Sequence, residues 1–367
     1  MTARRVSFVS LAPHEDSAAV RAAIDRVVAG GWYVLGPEVE AFEREFAAAS
    51  GAAHAVAVGN GTDAIALTLR ALGIGDGDEV ITTPLSAAFS ALAILMAGAR
   101  PVFADIDPAR LTIDPRRIEA AIGPRTRAIL PVHLYGQAAD MTAIADVATR
   151  RGLALVEDCC QAHLATSGGR RVGTIGIAGA FSFYPTKNLG ALGDGGAVVT
   201  SDATLAERVR RLRNGGQSER YRHDEPGVNS RLDELQAAIL RARLPFLPAW
   251  TARRRAIAAR YRRQLAGAVD AVPECDAGHV YHLFVVRTSA RRELQMHLSA
   301  QGVETLIHYP VPIPRMPAMA RVDPAECPVA SRACDEILSL PLHPAMADED
   351  VEYVADTVLK GLHECER

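Results

Sequence analysis

This sequence predicts an α/β fold in two domains, residues 1–245 and residues 246–367, and three observations lead there. At 367 residues the chain is long enough to bury a large core and to divide. From Ala53 to Val199, short apolar runs alternate with segments of helical period, the pattern of a layered α/β domain. From Leu232 the character shifts to arginine-rich helices and a shorter strand–helix pattern, that of a small α+β domain. Low aromatic content with abundant Ala, Val, Leu and Gly fits the same class.

Ser17 to Ala29 has helical period and stops at Gly30-Gly31. Pro37 opens a second helix that runs through Phe42 and Phe46 to Ser50-Gly51. Ala53 to Val58 is a short apolar strand, followed by Gly59-Asn60-Gly61-Thr62-Asp63 and a helix over Ala64 to Leu72. A strand, a glycine turn and a helix N-terminus together make an anion site, because free backbone N–H groups and the helix dipole point into it. Two other readings exist. Gly59-x-Gly61-x-x-Ala64 loosely fits a dinucleotide fingerprint, but Asp76, Asp78 and Glu79 precede the next strand, Val80 to Thr82, where the fingerprint needs an acid after it. The bland reading is a helix cap by Thr62 or Asp63.

Strand-like Pro101 to Asp105 and Ala128 to His133 follow, then a helix from Met141 to Arg151. Leu153-Ala-Leu-Val156 is wholly apolar and delivers Glu157 and Asp158 at its C-terminal end, where α/β sheets place their ligands. Strand side chains alternate, so these two carboxylates face opposite ways. A buried carboxylate needs a partner, and a cationic ring nitrogen is a suitable one. Beyond the site, Leu232 to Arg243 and Thr251 to Leu265 read as helices separated by Pro245 and Pro248. The six arginines from Arg253 to Arg263 read as a solvated face. Val280 to Arg287 is strand-like and Arg291 to Gln301 helical.

Lys187 lies between Pro185 and the glycines Gly190, Gly193, Gly195 and Gly196, after which Ala197-Val-Val199 reads as a buried strand. A loop lysine is ordinarily a solvated charge. Here apolar and hydroxyl residues precede it and the glycines admit a bulky planar ligand. Partial desolvation lowers an amine's pKa and makes it nucleophilic enough for Schiff-base chemistry.

Composition excludes other classes. A net charge of −3 and a pI near 6.4 argue against nucleic acid or an anionic membrane surface as the partner. Met-Thr-Ala-Arg-Arg-Val lacks the apolar stretch of a signal peptide, and no segment has the length of a membrane span, so the expectation is a soluble cytoplasmic protein. The six cysteines show no CxxC spacing and no partnering histidine pattern, so free thiols are expected, with no metal.

An anion turn at Gly61-Thr62, a strand-end Asp158 and a desolvated Lys187 are together what pyridoxal 5'-phosphate needs: phosphate donors, a carboxylate for the pyridine nitrogen and a lysine for the aldehyde. With these pieces in this order, the chain resembles the DegT/StrS family of pyridoxal-phosphate sugar aminotransferases over essentially its whole length. The resemblance rests on Gly59-Asn-Gly-Thr-Asp63, Pro131-Val-His-Leu-Tyr-Gly-Gln137, Glu157-Asp158 with Gln161-Ala-His163, Ser182-Phe-Tyr-Pro-Thr-Lys-Asn188, Gly193-Asp-Gly-Gly196, Asn229-Ser-Arg-Leu-Asp-Glu-Leu-Gln236 and Ile307-His-Tyr-Pro310. It implies an aspartate-aminotransferase-like large domain (fold type I) with a mixed, mainly parallel sheet, and a homodimer with shared active sites. It also implies roles: Lys187 as the Schiff-base lysine, Asp158 at the pyridine nitrogen and Gln161 near the ring hydroxyl. Gly61, Thr62 and Ser182 would bind phosphate, Asn229 would reach it from the neighbouring subunit, and His308 and Tyr309 would meet substrate. The alternative for Asn229 is a cap on the helix starting near Leu232.

Two departures stand out. Where the family often carries an aromatic that stacks on the cofactor, this chain has Ala87, with Phe89 two residues on. The usual Ala-His-Gly is Ala162-His163-Leu164 here, which is expected to narrow the pocket locally. The resemblance implies amino transfer from L-glutamate to a nucleotide-linked keto-sugar. The Ile307 to Pro310 segment resembles that of members acting on dTDP-3-keto-6-deoxyhexoses. The alternatives are amination at C4 or of a cyclitol ketone, a sugar dehydratase, which carries histidine in place of Lys187, and a non-catalytic cofactor-bound regulator.

Overall fold

The computed structural model describes residues 4–12, 14–319, 322 and 325–365. Its main sheet has seven strands: β1 (His54–Val58), β2 (Glu79–Thr82), β3 (Arg100–Phe103), β4 (Thr126–Leu130), β5 (Ala154–Asp158), β6 (Ala178–Ser182) and β7 (Gly196–Thr200). Their spatial order is β1-β7-β6-β5-β4-β2-β3. Within this sheet β7 runs opposite to the other six strands. The sheet is therefore mixed and mainly parallel, and β1, β5 and β6 end on the same edge.

Alternation along the strands feeds two apolar layers. Val56, Val58, Ala180 and Val198 pack on one face with Leu67, Leu69, Val209 and Leu212, which come from the helices Gly61–Ala71 and Ala203–Leu212. Ala57, Phe181, Ala197 and Val199 pack on the other with Phe42 and Phe46 of helix Pro37–Ser50 and Leu240 of helix Glu234–Arg243. Strands covered on both faces are apolar throughout, which is why β5 and β7 read as continuous runs.

A second sheet joins β8 (Asp270–Ala271), β9 (Phe284–Arg287) and β10 (Ile337–Leu340), all antiparallel. Tyr261 and Ile257 of helix Leu247–Gln264, Leu294 and Leu298 of helix Arg291–Ala300, and Val351, Val354 and Val358 cover it. Val6 of the N-terminal arm joins this cluster through a bridge to Val303.

Several boundaries differ from the sequence reading, each for a local reason. β4 stops at Leu130 because Pro131 has no N–H to continue the ladder. β9 begins only at Phe284: Val280 and Leu283 instead donate to the carbonyls of Gly136 (2.9 Å) and Tyr135 (3.3 Å). Pro245 and Pro248 barely interrupt the helices. A single 3-10 turn, Leu244–Phe246, links them, and Pro248 lies in the first turn of Leu247–Gln264, where its missing N–H costs no bond. The expected glycine stops hold, Gly31 and Gly51 being left-handed at φ 65° and 74°.

Candidate active site

The neighbours Glu157 and Asp158 end β5 and face opposite ways. Glu157 is completely buried and fully engaged. Its Oε1 accepts from the amides of Ile175 (2.8 Å) and Gly176 (2.7 Å), and its Oε2 from Gly173 (2.8 Å) and His133 Nε2 (3.0 Å). Ala139 donates its N–H to His133 Nδ1 (3.1 Å), so the imidazole proton sits on Nε2 and points at Glu157. Glu157 is thus a fold residue. The nearby trio His133, Glu157 and Cys159 has metal-like donors, but the histidine and carboxylate are satisfied by these bonds.

Asp158 looks into the cleft. Its Oδ2 accepts from the buried hydroxyl of Ser90 (2.7 Å) and its Oδ1 from the Cys160 amide (3.1 Å). Both donors are neutral, and no ion pair forms to Asp158 among the described residues. Ser90 was not singled out from sequence. It follows Phe89, which opens the helix Phe89–Met96 and is 61 % exposed, and Ala87 is half-buried.

At the end of β1 the turn does form a helix N-terminus, but the cap is neither Thr62 nor Asp63. Asn60 caps it: Asn60 Oδ1 accepts from the Asp63 amide at 2.8 Å. An asparagine in extended backbone serves here as the cap, which leaves the Gly61 and Thr62 amides outside the helix ladder. Gly61 is demanded by crowding, since a Cβ there would meet Cys160 Sγ at 2.7 Å and Ser182 Cβ at 2.8 Å. That crowding brings Gly61 and Ser182 together across β1 and β6.

Lys187 is half-buried in the loop after β6, its amide bonded to the Tyr184 carbonyl (2.8 Å). Desolvation lowers its amine below the ordinary lysine range, while the Cys160 thiol and the Asp158 carboxylate oppose that shift. Its side chain makes no hydrogen bond or ion pair to the described residues. His163, His282 and His308 surround this region. Burial first and Lys187 second lower His163 to about 3 and His308 to about 4, and push His282 well below its usual range, so all three are neutral. His163 Nε2 donates to the Ser182 carbonyl (2.9 Å), bracing the strand end that carries Ser182.

Gln161 is held in a fixed pose, its Oε1 accepting from the Tyr135 amide (2.8 Å) and its Nε2 donating to the Tyr309 hydroxyl (3.1 Å). Burial raises the Tyr309 hydroxyl to about 12. His308 Nδ1 meets Ser339 Oγ at 2.9 Å. Leu164 does not narrow the cleft. Its side chain packs against the apolar cluster containing Phe181 and Phe183. Its backbone is left-handed (φ 59°), the conformation a glycine adopts without cost.

Asn229 is exposed, and it does not cap the next helix, which begins at Glu234 after Asp233. Its neighbour Ser230 is buried and links Gly59 and Asp63, accepting from the Gly59 amide (2.9 Å) and donating to Asp63 Oδ2 (2.6 Å). The structure therefore clusters Gly61, Ser182, Asp158, Gln161, Lys187, His308 and Tyr309 around Cys160 and leaves Asn229 exposed.

This chain belongs to the DegT/DnrJ/EryC1/StrS aminotransferase family, whose sequence model matches residues 14–359, and it is an aminotransferase. The fold is the aspartate-aminotransferase-like one expected from the resemblance. Over 361 residues the chain is 50% identical to the dTDP-3-amino-3,4,6-trideoxy-alpha-D-glucose transaminase of Streptomyces venezuelae, covering 96% of this chain and 95% of that one. Among solved structures it matches DesV of S. venezuelae in complex with a ketimine intermediate, at TM-score 0.94 and 49% identity, with 98% of each chain covered. It also matches NtdA of Bacillus subtilis with bound cofactor PMP, at TM-score 0.90 and 31% identity, over 98% of this chain and 85% of that one.

Proposed function

We propose that the chain transfers an amino group from L-glutamate to the C3 ketone of a dTDP-linked 3-keto-6-deoxyhexose, using pyridoxal 5'-phosphate, as a homodimer. The observation that carries the chemistry is the Asp158 carboxylate, buried and bonded only to neutral donors, beside the unpaired low-pKa amine of Lys187. Half-identity to a 3-amino-sugar transaminase over almost the whole chain supports the substrate class.

The residues fit the cofactor. A buried carboxylate without a cation is the partner that a protonated pyridine nitrogen needs. Two free amides at a helix N-terminus, with the Ser182 side chain packed beside Gly61, suit a phosphate. When bound, the cofactor supplies an electron sink for charge developing at the donor's α-carbon. Lys187 Nζ would hold the aldehyde and, once released, take the α-carbon proton and return it on the other side of the transfer. Desolvation suits it to both tasks by lowering the amine's pKa and so favouring its neutral form. Ser90 and the Cys160 amide orient Asp158, and Gln161, fixed by Tyr135 and Tyr309, would meet the ring hydroxyl. His308 and Tyr309 are the residues read as meeting the sugar. A histidine at position 187 would favour the dehydratase alternative, and this chain has lysine.

Exposed Asn229 is read as reaching the partner's phosphate site. Trp32, Tyr33, Val34, Leu192 and Val228 are large apolar side chains exposed on the same molecule, and Tyr33 and Leu192 are bonded to Glu234 and Gln236 of one helix. An apolar face of this kind needs covering, and a second copy would cover it. The cleft is read as lying between residues 1–245 and 246–367.

The test uses 15N-labelled glutamate and dTDP-3-keto-6-deoxyglucose with the purified enzyme. The product sugar should gain one labelled nitrogen at C3 by mass spectrometry and NMR. Label at C4, or a deoxygenated product without nitrogen, would refute the reading.

A further inference from the structure

A cavity of about 270 Å³ opens beside Lys187, walled by the N-terminal arm, Arg243, Arg254 and His343. Three of its charged groups are already bonded. Arg243 Nε donates to Asp16 Oδ2 (2.7 Å) and its Nη1 to the Gly190 carbonyl (2.6 Å), and Glu15 accepts from Trp250 Nε1 (2.6 Å). Arg254 is different. It is 6 % exposed, yet it makes no ion pair among the described residues. Its Nη1 donates to the carbonyls of Tyr281 (3.2 Å), His282 (3.4 Å) and Leu342 (3.0 Å), and its Nε is buried with no partner at all. Burial alone lowers its pKa, to about 10, so it stays charged at neutral pH without a counter-ion.

A guanidinium removed from water and left without an anion is costly, and the cost falls when a planar anion docks on its fork of donors. We propose that Arg254 forms a carboxylate subsite that takes one carboxylate of the amino donor, holding the donor in the cavity it shares with Lys187. This rests on the transamination reading and adds to it the residue that selects an acidic donor. A charge-assisted bond from a guanidinium to a carboxylate is stronger than one to a neutral carbonyl, the only kind of acceptor Arg254 now has. The cavity has room for a five-carbon dicarboxylic acid.

The test is calorimetric binding of glutarate, which has no amine to transfer, to the cofactor-loaded enzyme. Wild type should bind glutarate in preference to inorganic phosphate. Arg254→Gln should weaken glutarate at least tenfold and Arg254→Lys less, with the melting temperature and the visible absorbance of the loaded enzyme retained. Ala345→Glu, a carboxylate added at an exposed position on the cavity wall, should weaken glutarate severalfold. Unchanged glutarate affinity in Arg254→Gln overturns the subsite. If that variant does not fold, unchanged affinity in Ala345→Glu does so. Tighter binding of phosphate than of glutarate overturns the assignment to a carboxylate. Bleaching of the wild-type enzyme by L-glutamate reports the transamination reading separately. Bleaching with Arg254-independent glutarate binding sinks the subsite alone, whereas Arg254-dependent glutarate binding without bleaching sinks the reading of the donor.

Discussion

Exchanging each of the adjacent acids for its amide should separate fold from chemistry. In Glu157→Gln one carboxylate oxygen becomes an NH2. Wherever that group sits it meets two donors, either the Ile175 and Gly176 amides or the Gly173 amide and His133 Nε2. Shifting the His133 proton would give up the bond from Ala139 to Nδ1, so the histidine offers no escape. Two buried donors left unpaired cost about 1–3 kcal/mol each, and partial relaxation puts the total near 3–5 kcal/mol. In a chain of 367 residues that lowers the melting temperature by about 5 °C. Asp158→Asn behaves oppositely. The amide oxygen can keep the Cys160 N–H, and the Ser90 hydroxyl can turn to accept from the new NH2, so stability changes by less than about 1 kcal/mol. Lost charge at the ring nitrogen should still lower turnover by about 10²–10³-fold. Thermal melts and single-turnover bleaching with glutamate read the two effects. A Glu157→Gln enzyme that melts like wild type, or an Asp158→Asn enzyme that melts far below it, would refute the division of roles.

Three further outcomes are expected. Gly61→Ala forces a methyl against Cys160 and Ser182 and should weaken cofactor binding by about 1–3 kcal/mol, read by titrating the apoenzyme; unchanged affinity would remove Gly61 from the cradle. Burial lowers the Lys187 pKa, so the folded chain holds fewer protons there than the unfolded one, and this site's contribution to stability rises with pH toward the free-lysine value. Amine acylation of the apoenzyme from about pH 7 to pH 10 should accordingly label Lys187 at lower pH than a free lysine, and labelling only at the free-lysine pH would contradict the desolvation argument. Mixed dimers of subunits inactivated at Lys187 and at Asn229 should regain partial activity, because one site in each is intact; no recovery in confirmed mixed dimers would assign Asn229 to its own subunit.

Much of this was legible in the sequence because it is encoded locally. The apolar runs of β1, β5 and β7, the glycine stops at Gly31 and Gly51, and the lysine in its glycine-flanked loop each carry their own signal. Contacts made by distant segments are not written locally. Ser90 reaches Asp158 across 68 positions, and no spacing rule marks it. Asn60 could have been found, since asparagine is among the best helix caps and stands directly before Gly61. The early part of Val280 to Arg287 looks like strand in composition, but its amides go to the Tyr135–Gly136 loop, a tertiary choice the pattern cannot express. Arg254 was hidden for a different reason. Six arginines between Arg253 and Arg263 read as one solvated face, and only packing singles out the one that is buried.

Lys187 as the covalent link to the cofactor can be tested cleanly because of the chain's composition. The chain has two lysines, Lys187 and Lys360, and Lys360 is exposed on the C-terminal helix. Borohydride reduction of the loaded enzyme fixes any imine as a stable amine, and peptide mass spectrometry then reports which lysine carries the added mass. Stoichiometric phosphopyridoxyl is expected on the Lys187 peptide and none on the Lys360 peptide. Modification of Lys360 alone, or of neither, would contradict it.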